Sequence, residues 1–552
     1  MRKIFTCLFL AFILNFQQQC FAQIFQSSCN PAPFVVDTVG ANINWTQFPD
    51  FTLPFTIIYH GKVPDDSLLH MLHKGFSHVA TSDLAYKDTL FPDQRAYTWT
   101  GIVNADSWGS NTGQPWWLIK SPWNNDVAGY RNKWMNRLNN IKNNWYKYNP
   151  PSGKWIDIII ADLEWSLHLP SGILSIKNDS LVPPYYQSLP NAVFVAEYRK
   201  AMVDLYAEPL RLAEDSIGLQ TILSSYAETP IRRTWTGIDD YTWAQWTSDS
   251  TLVDFLMHDS TGFMSSEFYE KHDFICPSIY NFYNVTSPNP EARRYLGYNM
   301  FMMEANMAWS GKGQLVYCWT NYHPATSNQE PYAPWQAEAT AIFPLMNGAI
   351  GLYHWVPTRY DVYEYYIYGL YRLSQYAGMF DGNQVYVRPE PGYASFMNMT
   401  PVWRGLVNGN NILIAAQNPF AAAGDTTVIT VAYNNWSQDI ALIGNETFLC
   451  QFQMIITEVA DHQQATNAIH LTVQPNPAEG EAQVQIENPE AGNVSLQLFN
   501  MMGAYVSTLY SGHLEKGMHH LNLYTATLDA GIYLLKMQIG EMERVVRVVL
   551  VN

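Results

Sequence analysis

Trp155-Ile-Asp157-Ile-Ile-Ile-Ala-Asp162-Leu-Glu164-Trp165 decides the fold: an apolar run from Ile158 to Ala161 stops abruptly at two carboxylates. A strand that is apolar on both faces has to be covered on both, as parallel strands between helices are. Residues two apart on a strand share a face, so Asp162 and Glu164 are expected to project together. Two adjacent carboxylates in an apolar surround do not both ionise freely, and the one that keeps its proton becomes an acid at neutral pH. Glu164, at the open end, is the expected proton donor, and Asp162, deeper, its electrostatic partner. The plainer alternative is an acidic pair that caps a helix or binds an arginine.

Similar apolar runs recur on either side, at Phe55–Tyr59, Ser77–Ala80, Trp116–Ile119, Gln220–Ser224, Phe274–Tyr280, Gln314–Trp319 and Ala349–Trp355. Helix-length segments lie between them, among them Phe194–Asp215, Pro290–Trp309 and Trp335–Met346. With Trp155–Ala161 this makes eight strand-and-helix units, which predicts a (β/α)8 TIM-type barrel over residues 23–378. In such a barrel the active site forms at the carboxyl ends of the strands, where Asp162 and Glu164 stand. The Trp-, Asn- and Pro-rich stretch between residues 99 and 130 reads as long loops that build a groove. After residue 378 the runs become short and alternating, at Val385–Val387, Asn411–Ala415, Thr427–Ala432 and Thr447–Cys450. They predict an accessory antiparallel β-sandwich over residues 379–462, read as a packing partner in preference to a carbohydrate-binding module.

The amino terminus predicts a signal peptide over residues 1–22. Arg2-Lys3 precedes an apolar stretch from Ile4 to Phe16, and Cys20-Phe-Ala22 places small residues for cleavage before Gln23. A lipoprotein reading through Cys20 is weaker, because three glutamines precede it. No later stretch has the roughly 20 apolar residues of a membrane span, so the mature chain is expected to lack a transmembrane segment. A formal charge of -17, from 48 acidic and 31 basic residues, argues against nucleic acid as partner. Aromatic content is high, with Trp 19 and Tyr 35, which fits either stacking on sugar rings or a large aromatic core. Cys29, Cys276, Cys318 and Cys450 remain after signal removal, and sequence does not choose among their three pairings. None has metal-ligand spacing, and there is no phosphate loop, dinucleotide fingerprint or Ser-His-Asp order, so neither metal nor cofactor is expected.

Two resemblances to known families add to this reading. Residues 467–552 resemble the C-terminal sorting domains of the type IX secretion system. The marks are Pro475-Asn476-Pro477 after a first strand, Val494–Leu498 followed by Asn500 and Gly503, His520–Leu523, Leu528 with Gly531-Ile-Tyr533-Leu-Leu-Lys536, and a last strand Arg544–Leu550. The resemblance implies passage across the outer membrane by the type IX machinery, removal of this domain, and release or attachment at the cell surface.

The barrel resembles the chitinase and hyaluronidase group of glycoside hydrolases. Their strand 4 ends in an acid two residues after an aspartate, as Glu164 follows Asp162, and chitinases place another aspartate where Asp157 stands. The aspartate expected four residues before the acid is replaced by Ile160. Ser278-Ile-Tyr280-Asn281 matches their strand 6 tyrosine, and Trp355 their sugar-floor tryptophan. The resemblance implies a carbohydrate substrate with N-acetylhexosamine units and a retaining, substrate-assisted reaction. In it the acetamido oxygen attacks the anomeric carbon, Glu164 protonates the leaving oxygen, and Asp162 and Tyr280 hold the acetamido group. The run ending in Trp319 carries no carboxylate, unlike barrel glycosidases with a glutamate nucleophile on strand 7. Trp319, Tyr280, Asn281, Trp355 and Glu228 are the expected substrate-binding residues. Two rivals stay open: a non-catalytic glycan-binding barrel, and a glycosidase that uses Asp162 with Glu228 on sugars lacking the acetamido group. His323, His354 and Arg359 lie near the same expected face, although a lone strand-end histidine is more often a structural hydrogen-bonding group.

Overall fold

The computed structural model describes residues 43–60, 70–80, 90–100, 122–123, 127–144, 156–163, 169–217, 220–232, 237–258, 264–282, 290–322, 330–355, 360–454, 470–476, 478, 480–488, 490–500, 505–525, 528, 531–539 and 542–550. The expected signal peptide and Cys29 lie outside these. The chain divides into two compact units, Met1–Ile455 and Ile456–Asn552.

In the first unit, seven short strands form one parallel sheet: β1 Thr56–Tyr59, β2 His78–Ala80, β3 Arg95–Thr100, β4 Ile158–Asp162, β5 Ile222–Ser225, β6 Leu315–Cys318 and β7 Gly351–His354. Their order is β5-β4-β3-β2-β1-β7-β6. The run predicted at Phe274–Tyr280 meets both edges through single parallel bridges, Tyr226 to Cys276, Ile275 to Gln314 and Ser278 to Tyr317. Pro277 inside it has no N–H to donate, which suits bridges better than a continuous ladder. The third strand is Arg95–Thr100; Trp116–Ile119, expected in that role, lies outside the described residues. Arg95-Ala-Tyr-Thr-Trp-Thr100 has no aliphatic run to mark it, but its aromatic and β-branched residues suit a strand.

Helices follow the strands. They include α1 Val127–Asn144, which begins inside the stretch read as loop, α2 Asn191–Ile217, α3 Tyr295–Trp309, α4 Pro334–Met346 and α5 Tyr360–Ser374. Alternation along the strands then separates two cores. Ile58, Ala80, Ala96, Ile158, Ile160, Leu315, Tyr317 and Tyr353 pack with one another on one side of the sheet. Ile57, Tyr59, Val79, Val316, Cys318 and Leu352 pack on the other against helical residues such as Ile342 and Tyr366. β1, β2, β4, β6 and β7 are therefore covered on both faces, as the Ile158–Ala161 run required.

The antiparallel strands β8 Val385–Val387, β9 Val402–Asn408, β10 Asn411–Gln417, β11 Thr426–Tyr433, β12 Trp436–Ile443 and β13 Phe448–Gln453 form a four-stranded sheet, β13-β10-β9-β8, and a β11-β12 hairpin. Along β10, Ile412, Ile414 and Ala416 pack with Val431 and Ile440 of the hairpin, while Leu413 and Ala415 join the helical core. Strand periodicity thus ties these sheets to the helices. Two buried ion pairs do the same. Arg404 pairs with Glu304 at 2.5 Å and donates to Asn347 at 2.9 Å, and Arg372 pairs with Glu338 and donates to the Thr447 carbonyl at 2.8 Å. Cys276 and Cys318 are free and buried, whereas Cys450 is disulfide-bonded.

The second unit has a three-stranded sheet, β14 (His470–Gln474), β15 (Glu481–Asn488) and β18 (Gly517–Tyr524), and a four-stranded one, β17 (Tyr505–Leu514), β16 (Gly492–Asn500), β19 (Gly531–Ile539) and β20 (Met542–Leu550). Leu471, Val484, Leu496, Leu535 and Val548 share its core. Asn476, directly after β14, accepts from the Val549 N–H at 2.8 Å, and the Ala478 N–H donates to the Val549 carbonyl at 2.8 Å. The Pro-Asn turn thereby secures the last strand. Among the described residues no helix is long and apolar enough to cross a membrane.

Candidate active site

Register locates the residues at the carboxyl end of the parallel sheet. Thr100 pairs with Asp162 and Ala161 with Ser225, so Asp162 lies level with Thr100 and Tyr226. Tyr59 and Cys318 both pair with His354, so His60, Trp319 and Trp355 stand together one residue later. Asp162 follows Ile158 and Ile160 on the inward side by strand alternation, and Leu163 faces the helical core. It is partly buried. Glu164 lies outside the described residues.

Around this end the inward residues are aromatic. The Tyr226 ring lies 4.6 Å from Tyr317 and 6.1 Å from Tyr280; Tyr280 lies 5.6 Å from Trp319. Tyr317 stacks on Tyr353 at 4.2 Å and 7°, and Tyr353 is 6.1 Å from Trp355. His60 completes the lining, with its ring centroid 4.5 Å from Trp355. Burial raises the Tyr280 phenol well above its usual range, so the hydroxyl stays protonated. Tyr317 and Tyr353 are fully buried and Tyr280 and Trp319 nearly so, and Tyr226, Trp355 and His60 keep partly exposed surface at the rim, flat rings edged by polar atoms of the kind that stacks on sugars.

The other expected residues are distributed differently. Asn281 is fully buried: its Nδ2 and backbone N–H both donate to the Tyr332 hydroxyl, at 3.0 and 3.1 Å. Asn299, in the orientation that satisfies its neighbours, donates to Asn281 Oδ1 at 3.2 Å. Asn281, expected to bind substrate, is thus engaged with Tyr332 and Asn299 in the wall. Glu228 is also fully buried and lies 3.1 Å from Arg232. The left-handed backbone at Ala227, with φ 56, interrupts the strand alternation that would have carried Tyr226's direction to it.

His354 turns away from the aromatic lining. It is buried between Tyr363 and Tyr366 of α5, at 4.4 and 4.7 Å, and burial holds it well below the usual imidazole range. His323 and Arg359 lie outside the described residues. Asp157, matched above to a chitinase aspartate, sits just before β4 at the opposite end of the strand. There it accepts from His78 Nε2 at 2.7 Å, a structural pair remote from Asp162. Sequence reading missed His60, Tyr226, Tyr317 and Tyr353. The signal was present, since each stands at even spacing from an inward residue of its own strand, but it becomes readable only once the inward face is known.

Residues 472–552 match the family model described as "Secretion system C-terminal sorting domain". The chain therefore carries an export signal at its carboxyl end, and its place is outside the cell, secreted or attached to the surface. No curated protein matches. Among solved structures, bee venom hyaluronidase is 16% identical, with 44% of this chain and 74% of that chain covered at a TM-score of 0.26. The endo-beta-1,4-mannanase from Thermotoga petrophila is 8% identical over 91% and 98% of the chains at 0.35, and the GH30 endoxylanase from Clostridium papyrosolvens 10% over 86% and 96% at 0.26.

Proposed function

We propose that this exported protein is a glycoside hydrolase acting on a polysaccharide or glycan with N-acetylhexosamine units. We also propose that its parallel sheet is a (β/α)8 barrel, whose eighth position is the bridged stretch Ile275–Ser278. The observation that carries the activity is the partly buried Asp162 at the carboxyl end of β4, level with Tyr226 and on the side of the continuous aromatic lining from Tyr226 to Trp355.

In this reading the sugar lies on Trp355 and Trp319, and its acetamido group meets Asp162 and the protonated hydroxyl of Tyr280. The acetamido oxygen attacks the anomeric carbon while Glu164, two residues beyond Asp162, gives its proton to the leaving oxygen. Water then opens the ring intermediate with retention. The rival that pairs Asp162 with Glu228 requires Glu228 to reach the sugar, and Glu228 is fully buried with Arg232 3.1 Å away.

The test is release of reducing ends from a panel of glycans, with a thiazoline inhibitor that imitates the ring intermediate. Hydrolysis stopped by the thiazoline is the expected result. Hydrolysis indifferent to it points to an enzyme nucleophile, and binding without hydrolysis, in wild type and Glu164→Gln alike, to a glycan-binding barrel.

A further inference from the structure

His60 extends the inward row of β1 beyond Ile58. Its backbone N–H donates to the His354 carbonyl at 3.2 Å, continuing the β1–β7 ladder past the strand end. Its Nδ1 lies 3.0 Å from the Tyr353 hydroxyl. The imidazole meets Trp355 edge-on, with centroids 4.5 Å apart at 86°, and Tyr353 at 5.7 Å. Tyr353 and Trp355 thus hold the ring in one orientation, on a backbone fixed by His354. Among the described residues Nε2 has no hydrogen-bond partner, and Trp355 beside it is only partly buried.

We infer that His60 is a specificity-determining residue of the site: its open Nε2 hydrogen-bonds a hydroxyl of the uncharged sugar that stacks on Trp355. This rests on the glycosidase reading and names one subsite within it. The arrangement pairs a flat apolar surface with a single polar atom at its rim, as a pyranose presents a C–H face edged by hydroxyls. Burial pushes His60 down to about 4, so the ring is uncharged at neutral pH. An uncharged imidazole bonds a hydroxyl but gives no counter-charge to a uronate carboxylate, and the chain's charge of -17 opposes such a ligand further. The subsite therefore takes a neutral sugar.

The test uses the full mature chain and the β-linked tetramer of N-acetylglucosamine, read by tryptophan fluorescence for binding and by reducing ends for kcat/KM. His60→Asn keeps a polar atom where Nδ1 meets Tyr353 but has none at the Nε2 position; His60→Gln reaches that position. We expect His60→Ala and His60→Asn each to weaken binding about tenfold, as loss of one hydrogen bond does, and His60→Gln to recover part of it. Rescue by His60→Asn and not by His60→Gln overturns the inference, because it assigns His60 to holding Tyr353. Three variants that bind and turn over like the wild type also overturn it, while leaving the glycosidase reading intact. A wild-type protein that neither binds nor cleaves the tetramer or any other glycan overturns both.

Discussion

Asp157 and Asp162 stand five positions apart on either side of the same apolar run, and they are used in opposite ways. At the amino end Asp157 is bonded to His78 at 2.7 Å, and His78 in turn to Ser77 at 2.7 Å, a chain of polar groups that links the start of β4 to β2 past the intervening β3. At the carboxyl end Asp162 faces the aromatic side of the sheet, where stacking surfaces converge. On the proposed reading the difference teaches that in a parallel sheet the same residue type stabilises at one end and serves chemistry at the other.

The comparison breaks most sharply at Glu164. Glu164→Gln is expected to lower turnover about 10³-fold, the scale of a lost general acid, with an unchanged unfolding midpoint. Full activity in that variant removes the proton donor and with it the proposed mechanism.

The second expected effect is on stability. Burial pushes both His60 and the fully buried His272, which is bonded to Ser225 at 2.6 Å, down from 6.5 to about 4. Between those values the unfolded chain takes up protons that the folded chain does not. The contribution is therefore complete above pH 6.5 and lost as pH falls toward 4, by up to ~3 kcal/mol for each histidine. Denaturant midpoints at pH 7 and pH 4.5 measure it; equal midpoints contradict the burial of both rings.

Asp162→Asn is expected to cost about 100-fold in kcat, since the amide keeps the shape but not the charge that steadies the developing cation. A larger loss in Asp157→Asn than in Asp162→Asn reverses the roles assigned to the two ends. The smallest effect is expected for Asp157→Ala: about 2 kcal/mol of stability, from leaving His78 without its acceptor, and an unchanged kcat per folded molecule.

The legible parts of this fold are those written in local periodicity. β1, β2, β4 to β7 and the helices α2, α3 and α4 fall close to their expected positions, because strands covered on both faces need unbroken apolar runs, whereas α1 and α5 were not expected. β3 escaped notice because Arg95–Thr100 mixes polar and aromatic residues. β9 and β12 escaped because Val402–Asn408 and Trp436–Ile443 carry Arg404 and Asp439 among their apolar positions, and Arg404 is buried only by virtue of Glu304 on α3, 100 residues away.

The sequence by itself determined the carboxyl end and the alternation: a sorting domain read over residues 467–552 and matched over 472–552, and an apolar run that places Asp162 at a strand's carboxyl end. Both follow from patterns carried by neighbouring residues. The tertiary structure decided which aromatic and polar residues meet there. Tyr226, Tyr317, Tyr353 and His60 come from separate strands, and Asn281, Glu228 and His354 are withdrawn into packing by Tyr332, Arg232 and α5. A side chain's neighbours across a sheet are set by register, which is a property of the paired strands and not of either sequence alone.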